Sequence, residues 1–315
     1  MPELTKSADE AVPSATTAAA GAEASEAKPD KTRSLWGDAW RDLRTNWIFI
    51  VSAVLILLLL VMAAWPGLFT NADPNNKDLA NHYLQHPNYG HWFQEDWLGY
   101  DAQGRSVYAR AIYGTRASLL VGAGTTVLVV ILGGVIGMIA GYFGGWVDAV
   151  LSRVTDMFMG IPFLLGAMVM LNSFTDRSIT VVIAALAFLG WTQTARVMRG
   201  AVITVKSTDY VQAAKALGAG TGRILFRHVM PNAIAPVIVV ATISLGVYIG
   251  AEATLSFLGL GLNGVSWGND ISDGGNSIRV AQWIMLYPSI MLSVTVLAFI
   301  MLGEAVRNAL DPKTR

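Results

Sequence analysis

Residues 47–72 read WIFIVSAVLILLLLVMAAWPGLFTNA, a run without a single charged side chain. A helix needs about 20 such residues to cross the roughly 30 Å hydrocarbon core of a bilayer. The run lacks the two-residue alternation of polar and apolar side chains that is typical of membrane barrel strands. Because a helix also satisfies its backbone hydrogen bonds internally, the stretch predicts a transmembrane helix.

Further charge-free stretches follow, and the chain as a whole has 53% hydrophobic and only 14% charged residues. Soluble domains carry about 25% charged residues, so the composition favours an integral membrane protein. The five further stretches are 117–147, 157–175, 178–195, 229–251 and 280–303. The sequence therefore predicts an all-α polytopic membrane protein with six transmembrane helices, the third and fourth forming a tight hairpin. The chain has no cysteine, which excludes disulfides, thiolate metal sites and thiol nucleophiles.

Lysine and arginine residues indicate the orientation, since cytoplasmic loops carry an excess of them. With the N-terminus inside, most basic residues face the cytoplasm, so both termini are predicted to be cytoplasmic. The Ala-, Ser- and Glu-rich residues 1–34 are predicted to form a disordered tail because they offer little to bury. Residues 35–116 then comprise the first transmembrane helix and an external segment, and residues 117–315 the core domain with a cytoplasmic loop at about 200–231.

That loop contains KSTDYVQAAKALGAGTGRILFRHVMPN, residues 206–232, a long polar interruption between apolar runs. Asp209 and Gln212 have the spacing of a capping box, which predicts the start of a short helix. Gly218 is placed to end that helix in the left-handed conformation. Thr221 would start a second short helix, and Pro231 would stop it where the fifth span begins.

Small residues recur every four positions in the second predicted span. Close helix packing needs small residues, so this face is predicted to pack within the chain or against a partner. The set comprises Gly133, Gly137, Gly141 and Gly145. Pro162 and Pro236 fall near the starts of spans and are expected to mark kinks or entry points.

Glu252 is the one ionisable residue within a predicted helical run. A carboxylate in hydrocarbon is costly, so it should face protein or water. Two interpretations stay open: an interfacial carboxylate at the external end of a pathway, or a gating group.

Three histidines, His82, His86 and His91, lie in the predicted external segment. Imidazoles can bind nickel or zinc. However, Pro87 interrupts the helix that would hold the first two, and the neighbouring aromatic residues fit a membrane-interface belt better. No metal site is therefore assigned.

Several blocks of sequence together resemble one family. Residues 212–214 read Gln-Ala-Ala, with Gly218 four residues later and Pro231 thirteen beyond that, which resembles the coupling loop of ABC importer permeases. Gln212 departs from the glutamate that this pattern usually has. The further blocks are DWLGYDAQGRSVYARAIYGTRASL (96–119), GYFGGWVD (141–148), GWTQTARVMRG (190–200), AEATLSFLGLG (251–261), SWGND (266–270) and NALDPK (308–313). Their order is similar to that of the dipeptide/oligopeptide permease subfamily, in its C-type second subunit.

The resemblance implies an ABC importer type I permease in the bacterial cytoplasmic membrane. It implies as partners a homologous permease forming a heterodimer, two cytosolic ABC ATPases, an extracytoplasmic peptide-binding protein and membrane lipid, with no nucleic acid. Residues carried over as the ATPase-coupling set are Asp209, Tyr210, Gln212, Ala213, Ala214, Leu217, Gly218 and Pro231. The chain lacks G-x-x-x-x-G-K-[ST], so no cofactor is expected in it, and ATP and Mg²⁺ would be bound by the partners.

Three alternatives stand beside a peptide importer, the first within the same function class and the other two from different classes. A nickel, glutathione or other small-solute importer would share this architecture. An ion-coupled secondary transporter needs ionisable groups at mid-membrane, where only Glu252 comes close. An intramembrane hydrolase is disfavoured because H-E-x-x-H is absent and no histidine lies within a predicted span. The sequence thus predicts a transport subunit and not an enzyme.

Overall fold

The computed structural model describes residues 35–310, and within that range it contains helices and no strand. The predicted tail at residues 1–34 lies outside the described residues, as do residues 311–315. The helices are α1 (Leu35–Leu43), α2 (Trp47–Ala64), α3 (Leu79–His82), α4 (Val107–Phe143), α5 (Gly145–Met159), α6 (Phe163–Asn172), α7 (Ile179–Lys206), α8 (Asp209–Ala216), α9 (Thr221–Arg223), α10 (Met230–Ala233), α11 (Ala235–Leu255), α12 (Trp267–Gly275) and α13 (Trp283–Leu310).

Five helices in the described part of the chain are long and apolar enough to cross a membrane, namely α2, α4, α7, α11 with the π-helical turn that follows it, and α13. The helices α5 and α6 pass the same test only as a pair, and they are bent by 79° at the break between them. Pro162 precedes α6 at this break, as expected of a proline that marks a kink. Counting the bent pair as one span gives the predicted number of six.

The helices α4 and α7 pack against each other along most of their length. A Cβ atom added at Gly133 would lie 2.5 Å from the carbonyl oxygen of Trp191, and one at Gly141 would lie 2.8 Å from that of Arg199. At Gly137 the same atom would overlap the carbonyl oxygen of Ala195. These glycines let the two backbones approach closely, so this face packs within the chain.

Gly145 does not belong to that face, which corrects the predicted glycine set. The helix α4 ends at Phe143, and both Gly144 and Gly145 have positive φ values, +68° and +55°. The four-residue spacing of the glycines continues to Gly145, but α4 has already ended there, so Gly145 does not lie on the same helix face as the other three.

The predicted stop at Pro231 is also wrong. A π-helical turn from Ile224 to Val229 joins α9 to α10, and Pro231 lies in the first turn of α10. Proline is tolerated there because a first-turn residue needs no intrahelical N–H bond. The fifth span begins later, at Ala235, with Pro236 in its first turn.

Each long helix connects two ends of the bundle. One end, here called the α12 end, gathers residues 65–106, α12 and the start of α4. The other end, here called the α8 end, gathers α8, the C-termini of α4 and α7 and the start of α5. The 37-residue helix α4 runs from one end to the other.

Candidate functional site

The helix α8 starts differently from the predicted capping box. Thr208 is its N-cap residue and makes no side-chain cap bond, so Asp209 is already the first helical residue. The Gln212 side chain does not reach the amide of Asp209; its Nε2 donates to the carbonyl oxygen of Lys206, 2.8 Å away. Gln212 therefore links α8 back to the end of α7.

The other end of α8 has the predicted left-handed glycine. Gly218 has a φ of +80°. Its N–H donates to the carbonyl of Lys215, and the N–H of Ala219 donates to the carbonyl of Ala214, at 3.0 and 3.1 Å. This pair of bonds is a Schellman motif, which satisfies the last carbonyl groups of α8 and reverses the chain sharply.

The surface of α8 is mostly uncovered. Val211 is its one buried side chain, and it packs into the cluster formed by Met198, Val202 and Ile224. In contrast, Leu217 is 88% exposed and Tyr210 is about half exposed, at 47%. The helix α8 therefore leaves apolar surface of Leu217 and Tyr210 uncovered by the rest of the chain.

The long helices hold the base of α8 through two polar contacts. Lys206 Nζ donates to the carbonyl oxygens of Gly141, at 2.6 Å, and Tyr142, which are free because α4 ends there. Arg199 forms two hydrogen bonds with Asp148 on α5, at 2.5 and 2.6 Å. These contacts tie α4, α5 and α7 together immediately before α8.

A cavity of about 470 Å³ lies between the α5–α6 break, α7 and α11. Its lining carries no charged side chain and comprises Phe158, Met159, Ile161, Pro162, Phe163, Leu189, Gly190, Thr192, Gln193, Val240, Ile243, Ser244, Val247 and Tyr248. Tyr248 Oη donates to the carbonyl of Gly190 at 3.2 Å, which connects α11 to α7 beside the cavity. The sequence analysis did not identify these lining residues; the polar residues Thr192, Gln193, Ser244 and Tyr248 within apolar runs are the local signal for them.

Glu252 is fully buried and lies on α11 towards the α12 end. Ser256 Oγ donates to its Oε1 at 2.8 Å, and Ser118 Oγ on α4 lies 3.5 Å from its Oε2. Glu252 is not among the residues that line the cavity of about 470 Å³. The carboxylate thus faces protein hydroxyl groups, and its geometry favours holding α4 and α11 together over lining a pathway.

The α12 end contains buried ion pairs that the sequence analysis missed. Arg110 on α4 pairs with Asp270 on α12 through both Nε, at 2.7 Å, and Nη2. Arg105 pairs with Asp101 at 2.6 Å and with Asp273 at 2.8 Å. Burial raises the pKa of the Asp270 carboxyl to about 6, against the opposing influence of Arg110.

These pairs bring together blocks that are far apart in the sequence. Arg110 and Asp270 belong to residues 96–119 and 266–270, and the indole N–H of Trp267 donates to the carbonyl of Ala111 at 2.8 Å. Trp267 itself is fully buried. Together with the Arg105–Asp273 pair, these contacts bind the start of α4 and the segment before it to α12. They form one ordered layer over the end of the bundle.

The three histidines each contact a different neighbour. His82 Nδ1 lies 2.7 Å from Gln85 Oε1, and His91 Nδ1 lies 2.8 Å from Asp96 Oδ2. The ring of His86 packs on Trp283 with centroids 4.5 Å apart. Across residues 35–310, no group of three or more His, Cys, Asp or Glu side chains is arranged to hold a metal ion.

Comparison with known families gives two matches. Residues 133–315 match the binding-protein-dependent transport system inner membrane component family. Residues 34–87 match the N-terminal transmembrane domain of oligopeptide transport permease C. The first match covers more than half of the chain and includes both α8 and the cavity.

Curated relatives extend over nearly the whole chain. The oligopeptide transport system permease protein OppC of Bacillus subtilis is 34% identical over 95% of this chain and 96% of its own. The dipeptide permease DppC of Alkalihalophilus pseudofirmus is 35% identical over 90% and 91%. The glutathione permease GsiD of Pectobacterium atrosepticum is 30% identical over 90% and 93%.

A solved structure shares the fold. A chain of the MetNI methionine ABC transporter, in its inward facing conformations, superposes on 64% of this chain and 96% of its own, with a TM-score of 0.55 at 18% identity. The match confirms the predicted helical architecture.

Proposed function

Because this chain belongs to the binding-protein-dependent transport system inner membrane component family, we propose that it moves di- and oligopeptides across the membrane. Membership makes it a multi-pass permease subunit of the bacterial inner membrane and not an enzyme. The identity of 34–36% to permeases of oligopeptides and dipeptides carries the proposal of peptides as substrates. The uncharged lining of the cavity supports peptides as substrates, because it discriminates little between peptides with charged side chains and peptides with apolar ones.

The full transporter would contain a second, homologous permease, two cytosolic ATPases and an extracytoplasmic peptide-binding protein. In this arrangement the α8 end faces the cytoplasm and the α12 end faces the binding protein. ATP and Mg²⁺ would be bound by the ATPases, because this chain has no phosphate-binding loop of the Walker type.

We assign to α8 the contact with one ATPase. Its exposed side chains Ala213, Leu217 and Tyr210 would enter a groove, while the buried Val211 keeps the helix on the bundle. Movement of α8 would pass to α7 through the Gln212–Lys206 bond, and α7 lines the cavity. Opening the cavity to one side or the other would then follow the state of the ATPases.

The proposed coupling is tested by Leu217→Asp in the reconstituted complex. Leu217 is exposed in the free chain, so folding should be unaffected, whereas a charge buried in an ATPase groove costs several kcal/mol. We expect loss of ATPase co-purification and of peptide uptake. The matched control is Arg307→Gln, an exposed position on α13 that pairs with Glu304 at 3.6 Å. Normal uptake by the Leu217→Asp complex would contradict the assignment.

Glutathione is a second candidate substrate, because the relatives of this chain include glutathione permeases at 30% identity. Glutathione is itself a small peptide, so a cavity without charged side chains accommodates it equally well. ATP-dependent uptake of labelled dipeptide, oligopeptide, glutathione and nickel by proteoliposomes distinguishes the cases. Uptake of glutathione or nickel without either peptide would overturn the peptide proposal.

A further inference from the structure

A second cavity of about 470 Å³ lies at the α12 end, separate from the one between α7 and α11. We call it the polar basin. Three parts of the chain meet there: the segment before α4, the α6–α7 loop, and the region from Ser256 to Asp273. Its lining comprises Asn75, Lys77, Arg105, Arg110, Arg177, Ser256, Gly259, Gly261, Leu262, Asn263, Gly264, Asn269, Ser272 and Asp273.

Four basic side chains line the polar basin, and two of them are already neutralised. Arg105 pairs with Asp101 and Asp273, and Arg110 pairs with Asp270. Asp273 is the one carboxylate in the lining of the basin, and it is already paired with Arg105. Arg105 and Arg110 therefore have little positive charge left for a ligand.

Lys77 and Arg177 are different. Among residues 35–310, neither lies within 4.0 Å of a carboxylate oxygen. Arg177 Nη1 donates to the carbonyl of Gly259 at 2.8 Å, but its Nε is buried without a hydrogen-bond partner. A buried guanidinium nitrogen without an acceptor is costly, so the site is incomplete as it stands.

The neutral donors of the basin are largely occupied. The amide of Asn269 donates to the carbonyls of Leu262 and Gly264, and the amide of Asn263 donates to Asp176. The charged capacity that stays free in the basin is cationic, and it fits an acceptor with a negative charge. A carboxylate is such an acceptor, and it pairs well with guanidinium and ammonium groups.

We propose that the polar basin receives the C-terminal carboxylate of the incoming peptide, with Lys77 and Arg177 as its ligands. The inference rests on the proposed transport of peptides, since every linear peptide carries this group whatever its side chains. It places the recognition of one constant group at the entrance, ahead of the uncharged cavity. The basin would then orient the peptide with its C-terminus towards α12.

The test compares one tripeptide as the free acid and as its C-terminal amide. The complete transporter is reconstituted in proteoliposomes, and the binding protein is loaded to saturation with either form, so that its own preference cancels. The variants are Lys77→Gln and Arg177→Gln. The matched control is Arg279→Gln, an exposed cation shortly after α12 that does not line the basin.

We expect each basin variant to lower uptake of the free acid about tenfold, the effect of one charge-assisted hydrogen bond, and to leave uptake of the amide unchanged. The Arg279→Gln complex should transport both forms like the wild type. An equal loss for acid and amide would mean that the residues only support the fold, and unchanged uptake of both forms would mean that they touch no substrate. Either result overturns the inference. If the wild-type complex transports no peptide, the proposed function itself fails.

Discussion

The two ends of the bundle use charged residues in opposite ways. At the α12 end two ion pairs are buried: Arg110 and Asp270 are 5% and 7% exposed, and Arg105 and Asp101 are 10% and 5% exposed. At the α8 end they lie near the surface, where Arg199 is 37% exposed, and Arg196 and Asp156 are each 55% exposed. Surface pairs contribute about 0–1 kcal/mol, whereas breaking a buried pair leaves an uncompensated charge in the interior.

This contrast indicates different mechanical roles. The α12 end is a layer whose parts are fixed to one another by buried charges and by the fully buried Trp267, which donates to the carbonyl of Ala111 on α4. The α8 end carries a short helix, α8, that buries one side chain and is followed by Leu217 in solvent. A rigid end suits recognition, and a lightly attached end suits a segment that a partner moves.

Loss of Arg110 should have the largest effect on stability. Arg110→Leu leaves Asp270 buried without its partner, which costs about 3–5 kcal/mol. We expect a large drop in the thermal midpoint of the detergent-solubilised chain. The double variant Arg110→Leu, Asp270→Leu should recover most of the loss, because no charge then remains buried. A single variant as stable as the wild type would show that the α12 end is not fixed by this pair.

The pH dependence sharpens that prediction. The pKa of Asp270 is raised by burial to about 6, so its ionised form is the costly one in the folded state. Its contribution to stability is therefore most favourable below its unfolded pKa of about 4 and declines as the pH rises to about 6. The deficit of Arg110→Leu should accordingly be smaller at about pH 5 than at about pH 7.5. A deficit that grows on acidification would contradict the assigned cause.

Substitutions in the close contact between α4 and α7, the two helices that connect the ends, should have the next largest effect on stability. A Cβ at Gly137 would overlap the carbonyl of Ala195 and lie 2.9 Å from Met198 Cβ, so Gly137→Ala should cost about 1–3 kcal/mol. Gly134 is the matched control on the same helix, since a Cβ there meets nothing within 4 Å. Gly134→Ala should be neutral or stabilise by up to about 1 kcal/mol. Equal thermal midpoints for the two variants would argue against close packing of α4 on α7.

At the α8 end, Gly218 should be the most sensitive backbone position. Gly218→Val places a β-branched side chain at a φ of +80°, which costs about 1–2 kcal/mol and loosens the Schellman motif. Gly220→Val is the control variant, because the φ of Gly220 is −66° and a Cβ atom there would have no neighbour within 4 Å. We expect weaker ATPase binding in a pull-down for Gly218→Val only. Equal binding by both variants would mean that the reversal after α8 is unimportant for docking.

The sequence predicts those features that depend on neighbouring residues. Apolar runs identify the spans because length and composition suffice, and Gly218 follows a helical pattern closely enough to predict its conformation. The capping box at Asp209 and Gln212 was wrong because Thr208 already begins the helix and the glutamine side chain reaches Lys206 instead.

Contacts between distant residues could not be predicted in this way. Arg110 and Asp270 are separated by 160 residues, so no local spacing relates them. The predicted stop at Pro231 was wrong for a related reason. The π-helical turn from Ile224 to Val229 lets the helical chain continue into α10, which contains Pro231, and no local sequence pattern predicts such a turn. The resemblance to a family supplied the proposed coupling residues, but the cavity lining and the polar basin required the fold.

The smallest effect should come from Gln212, which joins α8 to α7 by one exposed hydrogen bond. Gln212→Ala removes a bond with a net contribution of about 0.5–1.5 kcal/mol, and the better helix propensity of alanine offsets part of the loss. We therefore expect an unchanged thermal midpoint and normal ATPase binding, but faster amide hydrogen exchange at residues 207–209.

Gln212→Glu separates the hydrogen bond from the size of the side chain. A carboxylate is similar in size to the amide but cannot donate to the Lys206 carbonyl, so its exchange rates should resemble those of Gln212→Ala. In both variants peptide-stimulated ATP hydrolysis should fall less than uptake, because ATPase movement would reach α7 less completely. Exchange and uptake like the wild type in Gln212→Glu would show that this bond does not transmit the movement. The attachment of the α8 end would then depend on Lys206, on the Arg199–Asp148 pair and on Val211.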